Sequence, residues 1–206
     1  MTRVSQKKAD ALQAALDEYG VRLHIKRDGY RVWWYAVAAW LVKLMFFAVY
    51  VLSFGAFNKD FDRDFATTFG RDVYLSNRHR KIDLREYAQY QLVRHELMHV
   101  IQADEHGAFW FRLSYLLVLP AGWTYRAKWE MEAYTQQMIA NQEEFGRISD
   151  GTLSWIEGQF VSPSYLFMRP FRKKVRSQLE EIRDGIERGD IRGMHPYRPD
   201  LLAETA

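Results

Sequence analysis

Apolar residues recur at helical spacing along most of the chain, with two short stretches of strand character. Residues 1–20 (MTRVSQKKADALQAALDEYG) have the period of an amphipathic helix closed by Gly20. Val21–Ile25 reads as a short strand, followed by Asp28-Gly29 turn chemistry. From Val32 to Phe57 the pattern becomes an almost unbroken apolar run, interrupted by Lys43 and small polar residues. Asn58–Asp64 is a polar, acidic loop, and Thr67–Ser76 (TTFGRDVYLS) is expected to form a strand centred on Val73-Tyr74-Leu75. Helical spacing returns from Leu84 to about Gln102, offering Val93, Leu97, Met98 and Val100 for packing. Phe109–Leu119 is a shorter apolar helix closed by Pro120 and Gly122, and Thr124–Glu144 a long one rich in helix formers. Ser154–Phe171 is mixed, with Pro163 and Pro170. Arg172–Arg188 reads as a charged helix, and residues 194–206 as a loose tail.

The run 32–57 leaves three readings open: a buried core helix, a membrane span, or a helix lying at an interface. A span would carry Lys43 near its centre, where a charge is costly. It would also place the N-terminus in the cytoplasm, because Arg22, Lys26, Arg27 and Arg31 precede it. The helix beyond Phe109 is too short for a comfortable span.

At 206 residues the chain is expected to form one domain, residues 1–206, with 48% hydrophobic and 27% charged residues. A net charge of +3 supports weak attraction to anionic surfaces and predicts no specific nucleic-acid partner. Arg169, Arg172, Lys173, Lys174 and Arg176 cluster, as a solvated face or as a contact for phosphate or anionic lipid. The lack of cysteine excludes disulfides, a thiolate zinc site and a cysteine nucleophile. No signal peptide is visible at the N-terminus, so a cytoplasmic or membrane-associated location is expected.

His95-Glu96-Leu97-Met98-His99 carries the most specific chemistry. On a helix His95 and His99 stack on one face, where both imidazoles can hold one Zn²⁺. Glu96 sits roughly 100° around, close enough to take a proton from a water at the metal. A catalytic site needs a third protein ligand and an open position. Just after the motif, a ligand-bearing turn would need glycine where Gln102 stands; Glu105 and His106 follow, with His106 one place late for a ligand. Farther on, Trp129-Glu130-Met131-Glu132-Ala133-Tyr134 offers Glu130 and Glu132, which point to different faces, so one of them can reach the metal.

HELMH followed by E-x-x-A-Y resembles the glutamate zincins, in which a downstream helix supplies a glutamate as third ligand. The stretch from TTFGRDVYL through RHELMHVIQ to RAKWEMEAY, about Phe65 to Gln137, is similar to small uncharacterised bacterial and phage proteins with a zincin-like core. The order of predicted elements reads as a mainly helical α+β zincin-like core with a small sheet. The resemblance implies a strand beside the active-site helix and Glu130 as third ligand, with Glu132 as the alternative. Tyr134 stands where those families often have an aspartate.

A Zn²⁺ ion, one per chain, at His95, His99 and Glu130 would make Glu96 the general base of peptide hydrolysis. Tyr134, His106, Arg126 and Tyr165 are candidates for oxyanion stabilisation or for support around the metal. The Thr67–Ser76 strand could receive an extended peptide or protein substrate by edge pairing. The leading expectation is a zinc metallopeptidase. One alternative is a zincin-fold structural or binding protein, such as a phage or assembly component. Another is a membrane-anchored metalloprotease using residues 32–57. His24 and His79 read as structural or exposed, and His195 falls in the tail.

Overall fold

The computed structural model of the chain describes residues 2–30, 33–52, 61–111, 121–162 and 171–191. They form a mainly helical α+β fold with a three-stranded sheet. In chain order the elements are α1 (Gln6–Glu18), β1 (Arg22–Ile25), α2 (Lys26–Gly29), α3 (Trp33–Leu52), α4 (Phe61–Asp64), β2 (Thr67–Phe69) and β3 (Asp72–Leu75). Then come α5 (Tyr87–His106), α6 (Ala121–Phe145), α7 (Asp150–Val161) and α8 (Arg172–Glu187).

Ser5 caps α1 by accepting from the Lys8 amide, and Gly20 at φ 61° releases the chain into β1. The sheet order is β1-β3-β2, with β1 parallel and β2 antiparallel to the central β3. One core gathers Leu12 and Leu16 of α1, Val73 and Leu75 of β3, Val93, Leu97 and Val100 of α5, and Ala133 and Ala140 of α6. The two alanines lie seven residues apart on α6, and their small side chains let that helix lie close along α5. A second core joins α6 to α7 and α8 through Met138, Leu153, Ile156, Val175 and Leu179.

The single strand expected over Thr67–Ser76 is a hairpin. Gly70 adopts φ 63°, and the two-residue turn Gly70-Arg71 pairs Phe69 with Asp72. The Asp28-Gly29 turn is the end of helical turn α2, and Gly29 is there for space. A Cβ on it would fall 2.6 Å from the Tyr74 ring and 2.9 Å from that of Tyr35, two buried rings stacked at 3.9 Å. Gly29→Ala therefore overpacks this contact. We expect a loss of about 1–3 kcal/mol, read in thermal unfolding as a Tm lower by roughly 3–10 °C. An unchanged Tm would mean that the two rings yield freely.

Helix α3 covers most of the apolar run. Tyr35, Ala39 and Val42 pack toward Tyr74 and Phe69 of the hairpin. Val37, Trp40, Leu41, Leu44 and Phe47 face outward, each more than half exposed, so the helix is amphipathic in burial although both faces are apolar. Lys43 is paired 2.6 Å from Asp62 of α4 and lies over the Tyr30 ring. The expected acidic loop is thus partly helical, and it supplies the counter-ion for that lysine. Among the described residues no helix is long and apolar enough to cross a membrane.

α5 starts three residues later than expected and runs on to His106, ending where Gly107 takes φ 81°. Of the expected helix 109–119, helical backbone is described through Phe111; residues 112–120 lie outside the described segments, as do 53–60 and the tail. The mixed stretch after Ser154 contains most of α7, whose start was hidden because its cap, Ser149, lies upstream. Two members of the basic cluster are paired: Arg172 reaches Glu157 at 3.0 Å, and Arg176 reaches Asp150 at 2.9 Å and Glu180 at 2.8 Å. Arg169 lies outside the described residues.

Candidate metal centre

Two helices build the site. α5 presents His95 and His99 one turn apart, their rings 4.8 Å apart and nearly perpendicular. Beside them α6 presents Glu130. Arg94 bolts the helices together, its buried guanidinium 2.6 Å from Glu143. The Nε2 atoms of the two histidines are 3.1 Å apart. Glu130 Oε2 lies 3.4 Å from His95 Nε2 and 3.9 Å from His99 Nε2. All three residues are buried, and among the described residues they form the group that could hold a metal ion, with ligand atoms within 4.8 Å of one another.

These separations fit a metal. A tetrahedral ion with bonds of 2.0–2.1 Å keeps its ligand atoms about 3.3 Å apart. The two imidazole nitrogens and the carboxylate oxygen, at 3.1, 3.4 and 3.9 Å from one another, lie close to that spacing.

Burial opposes charge on both His95 and Glu130, yet their pairing wins. His95 is raised above the ordinary imidazole value by its hydrogen bond to Glu130 and by the charges of Glu130 and Glu96. Glu130 is driven well below the usual carboxylate range by the His95 bond and by the charges of His99, His95 and Arg126. Both shifts favour the charged pair, an imidazolium beside a carboxylate.

Glu96 is buried beside His95, and its Oε2 accepts a 2.6 Å hydrogen bond from the Thr68 hydroxyl of β2. β2 is one of the two outer strands of the described sheet, so an edge strand touches the carboxylate of the motif directly.

The other residues singled out in the sequence take different places. Glu132, the alternative ligand, points to Gln102 Nε2 at 2.9 Å and is not in the ligand cluster. His106 stacks on Trp129 at 5.9 Å, outside the cluster, because the helix continues through Gln102 without the turn a ligand would need there. Arg126 acts on Glu130 through its charge. Tyr134 lays its ring edge-on to His95 at 4.7 Å. Tyr165 lies outside the described residues. His24 is structural, bonded to Asp72 at 2.9 Å and stacked on Tyr74.

Sequence reasoning missed two residues, Gln102 and Thr68. Gln102 could have been found, since it follows His99 at helical spacing i+3 and so shares its face. For Thr68 the sequence offers Gly70 as a turn signal, but not that the turn would bring Thr68 to Glu96.

A family model described as the eCIS core domain matches residues 63–107. That segment holds the hairpin and the whole of α5 with its HELMH motif, and it ends before α6 and Glu130. Neither a curated protein nor a solved structure matches the chain.

Proposed function

We propose that the chain is a zinc-dependent peptidase in which His95, His99 and Glu130 hold the metal and Glu96 is the general base. The observation that carries this reading is the convergence of those three buried ligand atoms, from two helices, beside a carboxylate they do not use. Two imidazoles and a carboxylate suit zinc best among common divalent ions. When bound, the ion supplies Lewis acidity and an acidified water. Glu96 takes the proton of the attacking water and passes it to the leaving amine. The Thr68 hydroxyl occupies one carboxylate oxygen and holds the group in place. The outer strand β2 offers backbone groups for an extended peptide, next to the base. The test is cleavage of an unstructured protein by the zinc-loaded chain, lost in Glu96→Gln.

A second reading draws on the family match. The matched model describes a core domain of extracellular contractile injection systems, a zincin-like family. On that reading the chain is a component of such a system that keeps the metal for structure. It has no use for a base at Glu96, so Glu96→Gln separates the two.

Zinc uptake also depends on pH. His95 must give up the proton it holds against Glu130 before it can serve as a ligand, and its raised pKa moves that competition to higher pH. Affinity is full above the raised value and falls as pH drops through it, by up to about tenfold per pH unit for each proton displaced. Chelator-competition titrations across this range read the slope. An affinity independent of pH would remove His95 from the ligand set.

A further inference from the structure

Gln102 is fully buried, and both ends of its amide are engaged. Its Nε2 lies 3.1 Å from the Trp129 carbonyl and 2.9 Å from Glu132 Oε2. Both partners are acceptors, so the NH₂ group must face them and its two hydrogens are consumed. The amide therefore cannot be flipped, and Oε1 is left facing His99 Nδ1 at 3.0 Å. An amide oxygen is only an acceptor, so that ring nitrogen must carry the proton. His99 is then the tautomer whose Nε2 lone pair points at His95 and Glu130.

We propose that Gln102 is the positioning residue of the metal centre: one amide selects the metal-binding tautomer of His99 and ties it to the backbone of α6 at Trp129, the residue before Glu130. This rests on the zinc reading above. The tie is one-sided, because His95 Nδ1 is buried with no hydrogen-bond partner among the described residues. Glu132 has a defined part in it, since its carboxylate fixes the orientation of the amide. A Gln102→Leu side chain fills similar space and provides neither contact.

Two measurements on the full chain test the role. Ring ¹⁵N–¹H correlation spectra of the metal-free wild type, above the histidine titration range, should show His99 protonated at Nδ1. In Gln102→Leu that preference should be lost. Zinc affinity, from competition with a chromophoric chelator, should fall about 10–100-fold in Gln102→Leu, with the cobalt(II) visible spectrum altered in band position. A His99 protonated at Nε2 in the wild type overturns the proposal, whether or not the variant folds. Equal affinity and an identical cobalt spectrum in a folded variant overturn it too. A wild-type chain that binds no zinc sinks the zinc reading instead, while the ring spectra still decide what Gln102 does to His99.

Discussion

Glu96→Gln is expected to lower kcat/KM for peptide cleavage by about 10²–10⁴-fold with the zinc content unchanged. Glutamine has the shape of glutamate and keeps an oxygen for the Thr68 hydroxyl, so the 2.6 Å contact and the packing beside His95 survive. It loses only the ability to take a proton. Glu96 is not among the residues whose ligand atoms converge, so the metal is retained. Activity that remains reflects the ion and substrate positioning alone. The assay needs paired metal analysis and rates on one preparation. A variant as active as wild type would remove Glu96 from the mechanism. Zinc bound equally by both chains, with no cleavage by either, would favour the injection-system component.

The site was legible in the sequence where chemistry and helical period coincide. HELMH sets two candidate ligands and a candidate base on one helix; the face rule allows one of Glu130 and Glu132 to reach them, and the resemblance to the glutamate zincins chooses Glu130. Contacts made through turns and across helices were not legible. Thr68 reaches Glu96 because Gly70 reverses the chain, and reading 67–76 as one strand passes over the Gly70-Arg71-Asp72 break between its two β-prone halves. Helix α3 shows a different limit. Its packed face (Tyr35, Ala39, Val42) and its outward face (Trp40, Leu44, Phe47) are both apolar, so no hydrophobic period distinguishes them. Lys43 counts against a membrane span, and in the fold it is part-exposed and paired with Asp62. Gln102 shows why a motif's departures matter. Where a turning glycine would end the helix, this chain has a residue that continues it and braces His99 against α6.

Glu130→Gln is expected to weaken zinc binding far more than an outer contact does, by more than the roughly 100-fold upper range for such partners. The carboxylate is the only anionic ligand of the three, and the amide that replaces it is a poor ligand for zinc. The metal-free protein should behave differently. In it Glu130 is a buried charge stabilised by His95, His99 and Arg126, and removing it removes both that attraction and its desolvation cost. His95 can then shed its proton and remain neutral, so the apo fold is expected to persist. Thermal unfolding with and without metal separates the effects. Zinc at 100 times its Kd stabilises the wild type by about 2.7 kcal/mol, or roughly 5–10 °C in a chain of this length. The variant should show an apo Tm close to that of wild type and almost no zinc shift. A full zinc shift in Glu130→Gln would move the third ligand elsewhere, with Glu132 the first alternative to replace.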